Sequence, residues 1–278
     1  RSSDLYLNEL QRRNIPVYSV SSIFRKEQIF FRWYGKSYRK VLNTFTHLFV
    51  QDEASVQLLR TIGITNTTVV GDTRFDRVLE ICRQAKELPL VEKFKGNHTA
   101  FVAGSSWGPD EDIFIPYLNT HPEVKLIIAP HVIDESHLKE ITGKLNRTVV
   151  RYTQATEEKV KEADCLLIDC FGLLSSIYRY GEIAYIGGGF GVGIHNVLEA
   201  AVYGMPVIFG PNNKRFREAQ GLLQCKGGFE IQGAEDFKKI MDNFLNNYEA
   251  LDKAGKKAGN YVRDNAGALE KIMHTVTL

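Results

Sequence analysis

Short apolar runs alternate with amphipathic stretches along this chain, and that alternation predicts most of its elements. Residues 3–13 carry helical spacing and lead into a strand at 15–20, and strands at 47–51 and 67–71 flank a helix at 53–62. The strands are apolar on both faces, which is the mark of a parallel sheet covered by helices on either side. Residues 76–98 read as a helix followed by a polar connector ending in Lys95-Gly96-Asn97-His98. The pattern then restarts. Strands are expected at 99–103, 124–129, 148–152, 165–168, 183–187 and 206–209, with helices at 110–118, 136–145, 173–180 and 196–203. The fold class is therefore α/β, with two Rossmann-like domains: residues 1–80, a linker at 81–98, and a complete second domain at 99–278. Three strands are few for a doubly wound domain, and the first residue is Arg1 rather than Met. The first domain is accordingly expected to be incomplete, with its opening strands upstream of Arg1.

Composition narrows the class without changing that picture. In 278 residues, 44% hydrophobic and 24% charged is globular rather than disordered. A net charge of +2 argues against a surface that binds nucleic acid as a whole, so no nucleic-acid partner is expected and any basic function is local. No apolar run is long enough to span a bilayer. Cys82, Cys165, Cys170 and Cys225 form no CxxC pair, which speaks against a disulfide framework or a zinc site and makes a reducing cytoplasm the default compartment.

The most informative stretch is Gly187-Gly188-Gly189-Phe190-Gly191-Val192-Gly193-Ile194-His195-Asn196-Val197-Leu198-Glu199, where a strand ends in five glycines within seven residues and a helix is expected next. Glycines let a backbone approach a ligand closely, and a helix start offers free N–H groups, so the pair predicts an anion site suited to a nucleotide phosphate. A dinucleotide fingerprint GxGxxG would need a third glycine at Val192 or Ile194, and neither is glycine. A nicotinamide cofactor is thereby disfavoured, and no cofactor is expected. His195, Asn196 and Glu199 share one helical face. His195 and Asn196 could donate to phosphate, and Glu199 could accept from a ribose diol. The same spacing also suits a plain helix cap, with Asn196 as N-cap and Glu199 as its partner. Asp110-Glu111-Asp112 sits at an expected helix start, where acids are ordinary.

A second feature lies near the start of the chain. Arg25, Lys26, Arg32, Lys36, Arg39 and Lys40 face a single acid, Glu27, for a local charge of +5. Phe30, Phe31, Trp33, Tyr34 and Tyr38 are interleaved with them. A basic amphipathic helix with aromatics suits an anionic membrane surface. The alternative is a solvated helix whose aromatics pack on their own sheet.

Several motifs together resemble the 3-deoxy-D-manno-octulosonic acid (Kdo) transferases of lipopolysaccharide assembly. They are Gly71-Asp72-Thr73-Arg74-Phe75-Asp76, Ala103-Gly104-Ser105-Ser106, Ala129-Pro130-His131, Asp169-Cys170-Phe171-Gly172-Leu173-Leu174, Gly187-Gly188-Gly189, the stretch from His195 to Ala201, and Gly210-Pro211 followed by Phe216. They stand in the family's order. The resemblance implies a GT-B glycosyltransferase whose first domain binds the acceptor and whose second binds the nucleotide sugar. It also implies metal-independent transfer of Kdo from a CMP-Kdo donor to a lipid A precursor, lipid IVA, with inversion. The enzyme would lie at the cytoplasmic face of the inner membrane as a peripheral protein. Ser105, Ser106, Pro130, His131, Phe171, Gly172, Gly188, Gly189, His195, Asn196 and Glu199 would serve the nucleotide, with Phe171 a candidate for plain core. The basic segment would meet the membrane and the acceptor, and the catalytic base is expected upstream of Arg1, which would leave this fragment inactive by itself. The chain departs from the family at Pro130-His131-Val132, where the family has Pro-Arg-His, so His131, Lys214 or Arg215 would have to meet the phosphate. A UDP-sugar 2-epimerase of the same fold, or a non-catalytic membrane-binding module, are the alternatives.

Overall fold

The computed structural model describes residues 2–276. The chain forms two compact units, Arg1–Arg77 with Asn265–Leu278, and Val78–Asp264. In the first unit, β1 (Tyr18–Ser22), β2 (His47–Val50) and β3 (Thr67–Val69) make a parallel sheet in the order β1-β2-β3. Side chains alternate across a strand, and β2 uses both faces. Leu48 and Val50 pack with Val56 and Leu59 of the helix Glu53–Arg60. Phe49 faces the other way and packs with Val70, Ala268 and Ile272.

That second contact corrects the expected domain limits. The sequence pattern places residues 265–276 with the second domain, but the helix Ala268–Thr275 covers the back of the first sheet. Asp76 fixes its start by accepting the backbone N–H groups of Gly267 and Ala268 at 2.8 and 3.1 Å. Nor are residues 81–98 a linker. The units divide within the helix Thr73–Arg83, and the helix Pro89–Lys95 is built onto the second unit. Val91 and Phe94 are buried there, and the Leu88 N–H donates to the Tyr180 hydroxyl at 2.7 Å.

The second unit carries seven strands: β4 (Ala100–Ser106), β5 (Lys125–Pro130), β6 (Val149–Arg151), β7 (Cys165–Leu167), β8 (Ile183–Ile186), β9 (Val207–Phe209) and β10 (Gly228–Glu230). All neighbours are parallel, in the order β10-β9-β8-β4-β5-β7-β6. Six of these strands are visible as apolar runs. β10 is not, because Gly228-Phe229-Glu230 offers one large apolar residue and only three positions. Phe101, Phe114, Tyr185 and Phe237 form the aromatic centre of the core, with ring centroids 5.3–6.5 Å apart. From β4 the chain moves outward to β5 on one side, and β8 occupies the other. The carboxyl ends of β4 and β8 are therefore the switch point of this sheet, where open α/β sheets place their ligands.

Candidate functional site

Two loops meet at that switch point, one after β4 and one after β8, and glycine is what lets them touch. A Cβ on Gly187 would fall 2.1 Å from the Ser105 carbonyl oxygen, and one on Gly189 would fall 2.5 Å from the Gly210 nitrogen. Gly188 adopts φ +89° and Gly193 φ +127°, conformations that other residues rarely adopt. Ser105 itself takes φ +52° without being glycine, a strained conformation of the kind that clusters at binding sites. The glycine-rich turn is thus first a device for packing backbone on backbone.

The expected helix over 196–203 is shorter, covering only Leu198–Ala201. Four residues make too short a dipole to hold an anion, so the helix-terminus anion site read from the sequence is not built. Asn196 Oδ1 accepts the Leu198 N–H at 3.1 Å, and Asn196 Nδ2 donates to Glu199 Oε1 at 2.9 Å. The two side chains thus hold each other beside the helix start, but Asn196 precedes the N-cap, Val197, and the expected capping box is not formed either.

Beneath the loops lie two adjacent buried acids. Asp110 accepts from the Tyr185 hydroxyl at 2.8 Å, from the Gly188 N–H at 2.9 Å and from the Trp107 N–H at 3.0 Å. Burial raises its pKa, and these three donors work against that rise. Glu111 accepts from Ser106 Oγ at 2.9 Å and pairs with His137 Nε2 at 3.0 Å. Burial raises Glu111 as well, partly countered by His137. Two assignments change in consequence. The Gly188 N–H holds Asp110 rather than facing a ligand, and Ser106 is fully buried with its hydroxyl turned to Glu111. Gly189 is likewise packed against Gly210. The sequence reading passes over this pair as ordinary helix-start acids; the signal that sets Glu111 apart is its place on the same face as the apolar Phe114, Ile115 and Leu118.

The other expected residues do converge. Ser105, Pro130, His131, Phe171 and Gly172 line one pocket of about 220 Å³, with Ile168 and Leu174 behind them. Phe171 is 80% exposed, so it is a rim residue and not core. Three rings stand beside this pocket. Trp107 stacks on His131 at 4.6 Å, and His131 stacks on His195 at 4.4 Å. Burial, and then His131, lower the His195 pKa. Trp107 also lines a smaller apolar pocket of about 140 Å³ with Gly188, Phe190 and Val192. Arg215, a candidate for the phosphate, instead donates to the Val192 carbonyl and lies over the Phe216 ring. Among the described residues, no group of three or more His, Cys, Asp or Glu side chains is placed to hold a metal ion.

In the first unit the basic segment is not the single amphipathic helix that its pattern suggested. It forms two short 3₁₀ turns, Ile29–Phe31 and Trp33–Gly35, and then the helix Lys36–Leu42. The aromatics divide between the two readings. Phe24, Phe30 and Phe31 pack against the core, whereas Trp33 is 90% exposed and Tyr34 and Tyr38 are exposed beside it. The cations divide too. Arg39 donates to the Phe30 and Arg32 carbonyls and Arg32 to that of Glu27, while Arg25, Lys26, Lys36 and Lys40 are exposed. Among the described residues, no helix is long and apolar enough to cross a membrane.

Comparison with known proteins bears on both units. The family model "3-Deoxy-D-manno-octulosonic-acid transferase (kdotransferase)" matches residues 5–77. A 3-deoxy-D-manno-octulosonic acid transferase of Rickettsia bellii is 26% identical over 86% of this chain, and one of Aquifex aeolicus is 29% identical over 76%. The chain spans 59% and 57% of those relatives' lengths. Among solved structures, the C-terminal CMP-Kdo binding domain of WaaA from Acinetobacter baumannii matches with a TM-score of 0.54 and 21% identity, covering 68% of this chain and 97% of that domain. The UDP-GlcNAc 2-epimerase of Neisseria meningitidis matches with a TM-score of 0.63 at 14% identity, covering 95% of this chain and 72% of the epimerase. At such identities the likeness is one of fold, and the fold is the α/β, parallel-sheet architecture of GT-B glycosyltransferases and epimerases. Across both of its units, the chain is similar in sequence to Kdo transferases.

Proposed function

We propose that the protein transfers Kdo from CMP-Kdo to a lipid A precursor, lipid IVA, with inversion at the anomeric carbon, and that Val78–Asp264 holds the donor. The observation that carries this reading is the 220 Å³ pocket lined by Ser105, Pro130, His131 and Phe171 at the carboxyl ends of β4, β5 and β7, with His195, from the loop after β8, stacked on His131. Its size and apolar walls suit a pyrimidine, with the ribose and phosphate extending toward the stacked rings. In such a displacement the negative charge develops on the departing CMP, and this reading assigns His131 and His195 as donors to it. A general base must take the acceptor's proton.

Calorimetry on this chain should show CMP binding that persists when magnesium is replaced by EDTA, with UDP binding at least about tenfold more weakly. A preference for UDP would favour the epimerase alternative. Binding only with added metal would remove the imidazoles from their role.

The acceptor side of the proposal concerns the exposed aromatic and basic patch. Trp33, Tyr34 and Tyr38 beside Arg25, Lys26, Lys36 and Lys40 form a surface suited to the anionic cytoplasmic leaflet of the inner membrane, with the protein held peripherally. Replacing these four cations by Gln should weaken sedimentation with phosphatidylglycerol vesicles by up to about 1 kcal/mol per charge at the surface, leaving CMP affinity unchanged. Vesicle binding that survives the substitutions would place the contact elsewhere.

A further inference from the structure

Trp107 has no role in ligand binding so far, yet its side chain is committed in two directions. Its ring stacks on His131 at 4.6 Å, and its indole N–H donates to His195 Nε2 at 3.2 Å. Its backbone is fixed as well, through the hydrogen bond from Trp107 N–H to the buried Asp110 carboxylate. An indole nitrogen can only donate, so His195 Nε2 must accept. A neutral imidazole carries one N–H, and with Nε2 accepting, that proton sits on Nδ1. The ring is held in place from other sides too. The His195 backbone N–H donates to the Gly187 carbonyl at 3.2 Å, and His131 stacks on its face at 4.4 Å. A Cβ on Gly188 would come 3.2 Å from His195 Cδ2, so the glycine there leaves the imidazole its room.

We propose that Trp107 is a positioning residue: its indole N–H fixes His195 as the neutral Nδ1–H tautomer, so that Nδ1 presents a hydrogen to an anionic oxygen of the nucleotide phosphate. This rests on the reading of Val78–Asp264 as a nucleotide site. Protonating Nε2 would set two N–H groups against each other, so Trp107 opposes the imidazolium form. Burial acts in the same direction. His195 then contributes a directed hydrogen bond instead of a full charge, and the leaving phosphate is met by a group whose protonation does not vary near neutral pH. The order of support runs from Asp110 to the Trp107 backbone, and from the Trp107 indole to His195.

The test is nitrogen NMR of the full chain labelled at histidine, which reads directly which ring nitrogen of His195 bears the proton, together with CMP titrations. The wild-type chain should show Nδ1–H. Trp107→Phe keeps a ring against His131 but loses the donor. His195 should then populate Nε2–H, and CMP affinity should fall about ten- to hundredfold, the worth of one hydrogen bond to a charged oxygen. In a His195→Ala background, Trp107→Phe should cause no further loss, which a merely structural role for the indole would not produce. Wild-type chain that binds CMP with the proton on Nε2 would overturn the role of Trp107 alone, and so would equal losses with and without His195. A chain that shows Nδ1–H but does not bind CMP would overturn the nucleotide reading, and with it the phosphate role. Because the tautomer is read in the unsubstituted chain, the outcome does not depend on the variants folding.

Discussion

Asp110→Ala is expected to cost about 3–5 kcal/mol of folding stability, because it orphans three donors at once in a buried site. The Gly188 N–H, the Trp107 N–H and the Tyr185 hydroxyl all end on this one carboxylate, which is 1% exposed. Each unsatisfied buried donor costs roughly 1–3 kcal/mol, and the losses are not additive among neighbours. The damage is also local in a useful way. Asp110 is where the loop after β4 and the loop after β8 are tied to the same helix, so CMP binding should be lost together with stability. Urea unfolding followed by Trp107 fluorescence in a Trp33→Phe background reads the second unit by itself, since these are the chain's two tryptophans. A loss below about 1 kcal/mol would mean that water or a shifted loop satisfies the donors, and that the carboxylate does not organise the switch point.

His137→Ala should be comparably severe, at about 3–5 kcal/mol near neutral pH, because it strips the partner from a carboxylate with no exposed surface. Its pH dependence distinguishes it from a simple packing defect. Burial already raises Glu111, and His137 restrains that rise, so removing His137 lets the folded-state pKa climb further. A carboxyl raised in the folded state gives up stability as pH climbs above its unfolded value, since the native chain must then hold a proton that the unfolded chain releases. In the wild-type chain burial opposes the His137 imidazolium, but the hydrogen bond and charge of Glu111 outweigh it and the net shift is upward. The histidine's contribution is therefore fully present below its ordinary pKa and is lost only as pH rises through the raised value. Below the raised folded-state value of wild-type Glu111 the two lose stability in parallel, so the gap between wild type and variant should open only above that value and widen toward about pH 6.5. A gap that stays constant over this range would show that Glu111 does not change its protonation in the variant.

These two acids also mark where the sequence was and was not legible. The central parallel strands announced themselves because they are runs of residues buried on both faces, as in Leu126-Ile127-Ile128 and Ile183-Ala184-Tyr185-Ile186. The glycines after β8 announced a site, and the residues around Pro130-His131 and Phe171-Gly172 that the family resemblance singled out do line one pocket with Ser105. Periodicity could not say what the glycines were for. Gly187 and Gly189 are required by the Ser105 and Gly210 backbones, contacts between segments 82 and 21 positions apart in the chain that no local pattern encodes. The short helix after them has a similar cause. Leu198–Ala201 is followed by a turn at Tyr203-Gly204, with Gly204 at φ +77°, so the apolar spacing of 197–202 reflects burial more than helix length. Asp110 and Glu111 looked like ordinary helix-start acids because charge at that position is common. Only their place on the same helical face as Phe114 and Leu118 separated them from solvated ones. In the first unit the Ala268–Thr275 helix was beyond reach for a topological reason. Its partners, Phe49 and Val70, lie some two hundred residues earlier, and the closing contact with Asp76 spans 192 positions.

The placement of the nucleotide is tested most directly by a crystal structure of this chain with CMP. The base should lie in the pocket between Pro130 and Phe171, with a phosphate oxygen within hydrogen-bond distance of His195 Nδ1 and the Gly188 N–H still on Asp110. CMP seated away from the ends of β4 and β8, or in the pocket with its phosphate turned from His195 toward open solvent, would contradict the switch-point site.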